Sequence, residues 1–288
     1  MVIYVNGQFL KKEDAMISPL DHGFLYGMGL FETFRVYEGF PFLLDDHLAR
    51  LNQGLEVLNI NYLFHREETN RILQDVLKIN NLSNAYIRLN VSAGIGEVGL
   101  QVEPYKEPNI LIFPKPLPLA GELTEKKAVL LKLRRNSPEG NERVKSHHFM
   151  NNILAKREIG NAADIEGIFR TEDGYLAEGI VSNIFWIKGN VLYTPSVQTG
   201  ILNGITRQFV IELAKKHNLC VKEGLYLLKD VLEADEIFVT NSIQEIVPIT
   251  TFEGHQLPGK QGQVVQQLHH EYRHYCQRLW SRNGLGSE

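Results

Sequence analysis

The stretch Pro114-Lys115-Pro116-Leu117-Pro118-Leu119-Ala120-Gly121 constrains the architecture of this chain more than any other segment. Its prolines fix φ and remove backbone donors, so the chain is expected to leave one packed body there and enter another. Residues 116–125 then form a linker between a first domain over 1–115 and a second over 126–288. A length of 288 residues with 43% hydrophobic composition supplies core for two moderate domains.

Before the prolines the pattern mixes strands and helices. Val2 to Val5 and Gln8 to Leu10 flank Asn6-Gly7, a two-residue hairpin signal. A helix is expected to start in Leu44-Asp45-Asp46-His47, capped by Asp45 or Asp46, with Leu48, Leu51, Leu55 and Leu58 as its apolar stripe. A second helix fits Arg66 to Ile79, with Ile72, Leu73, Val76 and Leu77 inward, and Ala85 to Ser92 and Asn109 to Phe113 read as strands. Beyond the prolines short strands dominate: Ala128 to Leu133, Gly167 to Arg170, Asn183 to Ile187, Val191 to Thr194 and Glu236 to Thr240, with Lys188-Gly189-Asn190 as a hairpin turn. Helices are expected at Asn151 to Asn161, Thr206 to His217 and Gly262 to Arg282, followed by a frayed tail. The fold class is α+β.

Charge and cysteine usage narrow the function. Thirty basic and 34 acidic residues give a net charge of -4 without a basic block, which argues against nucleic-acid binding. Two cysteines, Cys220 and Cys276, are too few for a disulfide scaffold and suit a reduced cytoplasm. The N-terminus reads as a strand rather than a signal peptide, and no segment approaches the roughly 20 apolar residues that span a membrane.

Two segments carry chemistry. Arg143-Val144-Lys145-Ser146-His147-His148-Phe149-Met150-Asn151-Asn152 places a lysine at the opening of a helical, partly apolar segment. Burial there disfavours the ammonium and leaves the free amine that a Schiff base requires. Leu176-Ala177-Glu178-Gly179-Ile180-Val181-Ser182-Asn183 places a carboxylate at the end of a strand. An amine for an aldehyde and a carboxylate for a pyridine nitrogen are what pyridoxal phosphate needs. Taken singly, Lys145 and Glu178 also read as surface charges; the pairing is what points to the cofactor. Ser182 and Asn183 would support the cofactor or the loop.

A phosphate has candidate donors. Gly204-Ile205-Thr206 opens a helix, where free N–H groups and a hydroxyl favour an anion, though Thr206 also reads as a plain N-cap. Arg50 could supply countercharge or lie on the surface, and Thr240-Asn241-Ser242 adds further donors after a strand.

With these residues in place, the chain resembles the fold-type IV pyridoxal phosphate enzymes, which include branched-chain aminotransferases, D-amino-acid transaminases and aminodeoxychorismate lyases. The likeness runs through Asp21-His22-Gly23-Phe24-Leu25-Tyr26-Gly27-Met28-Gly29-Leu30-Phe31-Glu32-Thr33, His47-x-x-Arg50-Leu51, the lysine block, Glu178-Gly179-x-x-Ser182-Asn183, Thr199 to Arg207 and Thr240-Asn241-Ser242. It implies a small N-terminal α/β domain, a larger pseudobarrel domain and a homodimer. It also implies Lys145 as the Schiff-base lysine, Glu178 as the pyridinium partner, and Arg50, Ile205, Thr206 and Ser242 as phosphate ligands.

Within the family, Arg134-Arg135-Asn136-Ser137-Pro138-Glu139-Gly140 and the Asn241-Ser242 pair are similar to the lyase branch. D-amino-acid transaminases carry an arginine where Ser92-Ala93-Gly94 stands. Branched-chain enzymes carry a Gly-Thr-Ala-Ala type turn in place of Asn241-Ser242-Ile243-Gln244, but share the arginine of Tyr86-Ile87-Arg88. The lyase resemblance implies 4-amino-4-deoxychorismate as substrate and p-aminobenzoate, for folate synthesis, with pyruvate as products. Arg88 is then a candidate carboxylate ligand or an ordinary strand-edge residue. Asn241 is a second candidate, and Phe31 is either a ring-packing residue or plain core. His147 and His148 could tune Lys145 or contact substrate, or serve only as locally satisfied histidines. No metal is assigned.

Overall fold

A computed structural model describes residues 1–119 and 121–286; Ala120, within the expected linker, and Ser287 and Glu288, within the expected tail, lie outside the described residues. The chain forms two compact units. The first comprises Met1–Ala120, Val144–His148 and Cys276–Glu288; the second comprises Gly121–Arg143 and Phe149–Tyr275.

In the first unit, Asn6 and Gly7 both take positive φ, the backbone that a two-residue hairpin turn requires, and join β1 (Val2–Val5) to β2 (Gln8–Lys11). Then follow α1 (His22–Tyr26), β3 (Gly29–Tyr37), β4 (Phe40–Pro41), α2 (Leu44–Val57), α3 (Arg66–Ile79), β5 (Ala85–Ser92) and β6 (Asn109–Pro116). The sheet runs β2-β1-β6-β5-β3-β4 with every neighbour antiparallel. Leu48, Leu51 and Leu55 of α2 and Leu73, Val76 and Leu77 of α3 pack with Phe34, Val36, Ile87 and Leu89 of the sheet, while Leu58 and Ile72 are only partly buried. Each such side chain contributes roughly 1.5–3 kcal/mol of burial free energy.

The structure departs from the sequence reading in several places. β6 continues through Pro116, into the expected linker. Beyond Leu111 and Ile112, which pair with β1, this strand has only β5 beside it. The alternating prolines 114 and 116 therefore need no partner on the outer side, as edge prolines require. Leu117 N then donates to Asn84 O, and Arg35 donates to Pro118 O.

Helix α2 has no side-chain cap: Leu43 takes the N-cap position at φ +55. Asp46 is instead held by the side chains of Ser281 and Arg282 and by Arg282 N. The last expected helix stops at Tyr275, because the chain beyond it joins the first unit. There Leu279 O and Trp280 O accept from Leu43 N and Asp45 N, and the Trp280 ring packs on Phe40.

The second unit contains β7 (Lys126–Leu130), α4 (Met150–Ile159), β8 (Ile165–Arg170), β9 (Leu176–Gly179), β10 (Asn183–Lys188), β11 (Val191–Pro195), α5 (Ile205–Lys216), β12 (Cys220–Gly224), α6 (Leu228–Val231), β13 (Glu236–Asn241), β14 (Glu245–Phe252), β15 (His255–Gln256) and α7 (Gln263–Tyr275). Its sheet runs β12-β11-β10-β13-β14-β7-β8-β9, with β15 on β14, and mixes parallel with antiparallel pairs. The sheet curls: β9, at one end of this order, returns to β10, with Gly179 N donating to Ser182 O and Leu176 sharing a core with Ile184 and Trp186. Among the described residues no helix is long and apolar enough to cross a membrane.

Candidate active site

Lys145 does not open a helix. Val144–His148 forms an extended strip against the start of β3: Phe31 N donates to Lys145 O, His147 N donates to Gly29 O, and Leu30 bridges Ser146. Two glycines make room for it. A Cβ on Gly29 would collide with the His147 ring and with Val91 O, and Gly27, at φ +72, faces the His148 ring. The glycines of Tyr26-Gly27-Met28-Gly29 are thus seats for the strip that presents Lys145. Helix α4 begins only at Met150.

Around Lys145 the first unit arranges cations on an aromatic ring. Lys145 Nζ lies 4.4 Å and the Arg88 guanidinium 3.7 Å from the Phe31 ring centre. Arg88 donates through Nε and NH2 to Asn90 Oδ1, at 3.3 and 3.0 Å. That same atom lies 3.1 Å from His147 Nε2. Because an amide oxygen only accepts, His147 carries its proton on Nε2. Burial, followed by the neighbouring Arg88 charge, lowers the His147 pKa to about 4. Burial also lowers the Arg88 pKa.

The His47-x-x-Arg50 pattern meets β3 at Glu32. His47 and Arg50 lie one turn apart on α2, and Glu32 accepts His47 Nδ1 at 2.7 Å and Arg50 Nε and NH2 at 2.7 and 2.8 Å. Burial by itself would raise the Glu32 pKa, but Arg50 and His47 outweigh it and hold it at about 2. Arg50 is thereby oriented by a buried carboxylate.

The second unit gathers the other expected residues. Glu178, on β9, is 4% exposed and accepts Arg135 Nε at 2.8 Å and Leu202 N at 3.0 Å. Asn183 Nδ2 donates to Leu202 O at 2.9 Å and reaches Glu178 at 3.5 Å. Ser182 turns the other way, its Oγ donating to Glu166, which also pairs with Lys126. At the start of α5, Thr206 Oγ1 lies 3.2 Å from Ser242 Oγ, and Ile205 opens the helix after Gly204, which supplies no side-chain cap. Asn241 Oδ1 accepts Ile243 N and Gln244 N and so shapes the turn that bears Ser242.

Sequence reasoning missed Arg135 and Arg143 as site residues. Arg135 NH1 donates to Asn151 and Asn152, its guanidinium lies over Phe169, and it is 8% exposed. Arg143 Nε donates to Gly200 O at 2.6 Å and stands 4.0 Å from Glu178; burial and then the Arg135 charge lower its pKa to about 10. The only local signal was the run of asparagines at 151 and 152, which serves Arg135 and also receives support from Arg134 O and Ile180 O.

Residues 29–252 match the amino-transferase class IV family, and the chain belongs to that family. An aminodeoxychorismate lyase of Bacillus subtilis (strain 168) is 49% identical over 274 residues, which cover 93% of this chain and 92% of that protein. A solved structure of a putative 4-amino-4-deoxychorismate lyase from Legionella pneumophila superposes with a TM-score of 0.83 at 26% identity, covering 91% of this chain and 96% of that one. A branched-chain amino acid aminotransferase from Escherichia coli superposes at 0.84 and 27% identity, covering 96% of this chain and 94% of that one.

The family implies pyridoxal phosphate, and the second unit fits it. Thr240 Oγ1 is buried without a hydrogen-bond partner, on a residue paired with Asn183 across β10 and β13. A Cβ on Gly204 would meet Asn183 Oδ1, so the chain passes close beside Asn183 just before the N-terminus of α5. Two hydroxyls and the first N–H groups of a helix suit a phosphate. Glu178 Oε1 accepts Arg135 Nε, and a carboxylate oxygen offers two lone pairs, so acceptor capacity remains for a ring N–H. Among the described residues no group of three or more His, Cys, Asp or Glu side chains could hold a metal.

Proposed function

We propose that this chain is a pyridoxal phosphate-dependent aminodeoxychorismate lyase, converting 4-amino-4-deoxychorismate to p-aminobenzoate and pyruvate for folate synthesis. The observation that carries this reading is the 49% identity, across 93% of the chain, with an enzyme of that name. The Asn241-Ser242 turn favours the same reading.

Bound pyridoxal phosphate supplies an aldehyde for amines and an electron-poor ring that accepts the electrons of a breaking C–H bond. Lys145 Nζ would hold the cofactor and, as a free amine, would take the proton from the amine-bearing ring carbon of the substrate. Glu178 keeps a proton on the pyridine nitrogen, and Arg135 and Leu202 N fix the carboxylate for that task. Ile205 N, Thr206 and Ser242 hold the phosphate, with Arg50 as countercharge, and Asn183 braces the Glu178 side chain. Ser182 acts through the loop, since its hydroxyl is committed to Glu166.

Arg88, aimed by Asn90, would receive one substrate carboxylate, and Asn241 is the candidate for the other. Phe31 faces the substrate ring and keeps Lys145 against an apolar wall. Loss of the proton and of the enolpyruvyl oxygen makes the substrate ring aromatic. Lys145 returns the proton to the departing fragment, which leaves as pyruvate.

The protein is proposed to act in the cytoplasm; Cys220 and Cys276 form no disulfide. A homodimer is proposed from an exposed apolar surface on the first unit. Leu20 O accepts Gly96 N, Asp21 bridges Ile95 and the Tyr26 hydroxyl accepts Gly99 N, so the segment bearing exposed Leu20 and Phe24 runs beside the segment bearing exposed Ile95, Val98 and Leu100.

Purified protein given enzymatically generated aminodeoxychorismate is expected to release p-aminobenzoate and pyruvate without a 2-oxo acid acceptor. L-leucine or D-alanine with 2-oxoglutarate should yield little glutamate. Glutamate without p-aminobenzoate would instead identify an aminotransferase, the alternative that Tyr86-Ile87-Arg88 and the Escherichia coli neighbour favour. Lys145→Ala is expected to lower turnover by on the order of a thousandfold or more and to abolish the protein-bound cofactor absorbance. Near-normal activity of that variant would sink the whole reading.

A further inference from the structure

The turn that carries Ser242 contains a residue its backbone does not favour. Asn241 and Glu245 pair as the last residue of β13 and the first of β14, so Ser242-Ile243-Gln244 is a three-residue loop. Loops of this length usually close on a residue in the left-handed region, where glycine enters without steric cost. Here the left-handed residue is Glu245, which follows the loop as the first residue of β14, at φ +66 and 2% exposed. Backbone strain of this kind persists only where the surroundings impose it.

The surroundings are α7. Arg273 Nε lies 2.6 Å from Glu245 Oε2, and His269 Nε2 lies 3.6 Å from the same oxygen. The Arg273 N–H is not aligned for a hydrogen bond, so this is a charge contact. His269 and Arg273 are one turn apart on a helix anchored by Val265, Leu268 and Tyr272. The Tyr272 ring meets Phe209 of α5 edge to face at 5.5 Å between centres. Helix α7 therefore touches both elements of the hydroxyl pair: α5, which bears Thr206, and the turn, which bears Ser242.

We propose that Glu245 is a positioning residue for cofactor phosphate. Its buried carboxylate, pinned by α7, forces the left-handed turn that keeps the Ser242 hydroxyl beside Thr206 at the N-terminus of α5. This rests on the assignment of Ile205, Thr206 and Ser242 as the phosphate site. Without the carboxylate the turn loses its tie to α7 and the hydroxyl pair separates. Affinity is then lost for the phosphate and not for the pyridine ring.

The test compares pyridoxal phosphate with pyridoxal, which lacks the phosphate. Full-length protein freed of cofactor is titrated with each compound, followed by absorbance and tryptophan fluorescence. Glu245→Gln removes the charge, Arg273→Met removes its partner, and Glu245→Gly removes the side chain where glycine suits the backbone and so guards against misfolding. All three are expected to weaken pyridoxal phosphate binding about tenfold or more, with pyridoxal binding within about twofold of the starting protein. Unchanged pyridoxal phosphate affinity in Glu245→Gly and Glu245→Gln would overturn the proposal. So would equal losses for both compounds, the signature of a merely structural role. If the unsubstituted protein itself does not prefer pyridoxal phosphate over pyridoxal, the phosphate site fails first and the proposal falls with it. Loss of that preference in the variants alone supports the proposal.

Discussion

At the scale of single residues, His147 is the sharpest case. Its Nε2–H donates to Asn90 Oδ1, the atom that Arg88 also engages, and its pKa falls from 6.5 to about 4, through burial first and the Arg88 charge second. It is therefore neutral at pH 7. A histidine held below its unfolded value stabilises the fold fully above about pH 6.5, and that contribution erodes as pH falls toward 4. An NMR titration of the ring is expected to show a midpoint near 4; a midpoint at the unperturbed value would mean the Arg88–Asn90–His147 chain does not form. The sequence marked His147 only as a neighbour of Lys145. Nothing local could reveal Asn90, which lies 57 positions away and meets His147 through the β3 strand between them. Arg135 is the same kind of omission, since its tie to Glu178 spans 43 positions.

At the scale of elements, the strip Val144–His148 tests how closely β3 must be approached. Gly29→Ala would drive a methyl group into the His147 ring and the Val91 carbonyl. Backbone cannot yield as a flexible side chain would, so destabilisation of about 1–3 kcal/mol is expected in denaturant unfolding. A cost near zero would mean the strip is not seated on Gly29. Legibility followed local pattern. Helix α3 was placed residue for residue because its apolar stripe and its charged face are both within the segment. The cap of α2 was misassigned because the partner of Asp46 is Arg282, 236 positions away. Strand β3 carries no alternation to read, since it is buried on both sides almost throughout. Strand β14 hides behind Pro248, which sits where the strand passes from pairing with β13 to pairing with β7.

At the scale of the whole molecule, the exposed apolar surface around Phe24, Ile95, Val98 and Leu100 calls for cover, and a second copy of the chain is the proposed occupant. Sedimentation is expected to give twice the 32.9 kDa chain mass. Val98→Glu combined with Leu100→Glu is expected to shift the population toward single chains at micromolar concentration. A single-chain mass for the unsubstituted protein would remove the proposal. The division of the chain into units is also a whole-molecule property. The prolines indicated one crossing, but the first unit takes back Val144–His148 and Cys276–Glu288. A five-residue strip, and a C-terminal segment whose sequence reads as more of the last helix, carry no compositional trace of which body they will join.

By itself the sequence determined the α+β class, the places of α2 to α5 and of several strands, the family through its motifs, and the candidacy of Lys145 and Glu178. These rest on periodicity, turn chemistry and residue type, which are local. Only the tertiary structure decided that Lys145 rides on β3 instead of a helix, that Glu32 orients Arg50, that Arg135 holds Glu178, and that Glu245 ties the Ser242 turn to α7. Each of these joins residues far apart in the chain. A buried charge is stable only with a partner, and the partner is chosen by packing, which no local pattern encodes.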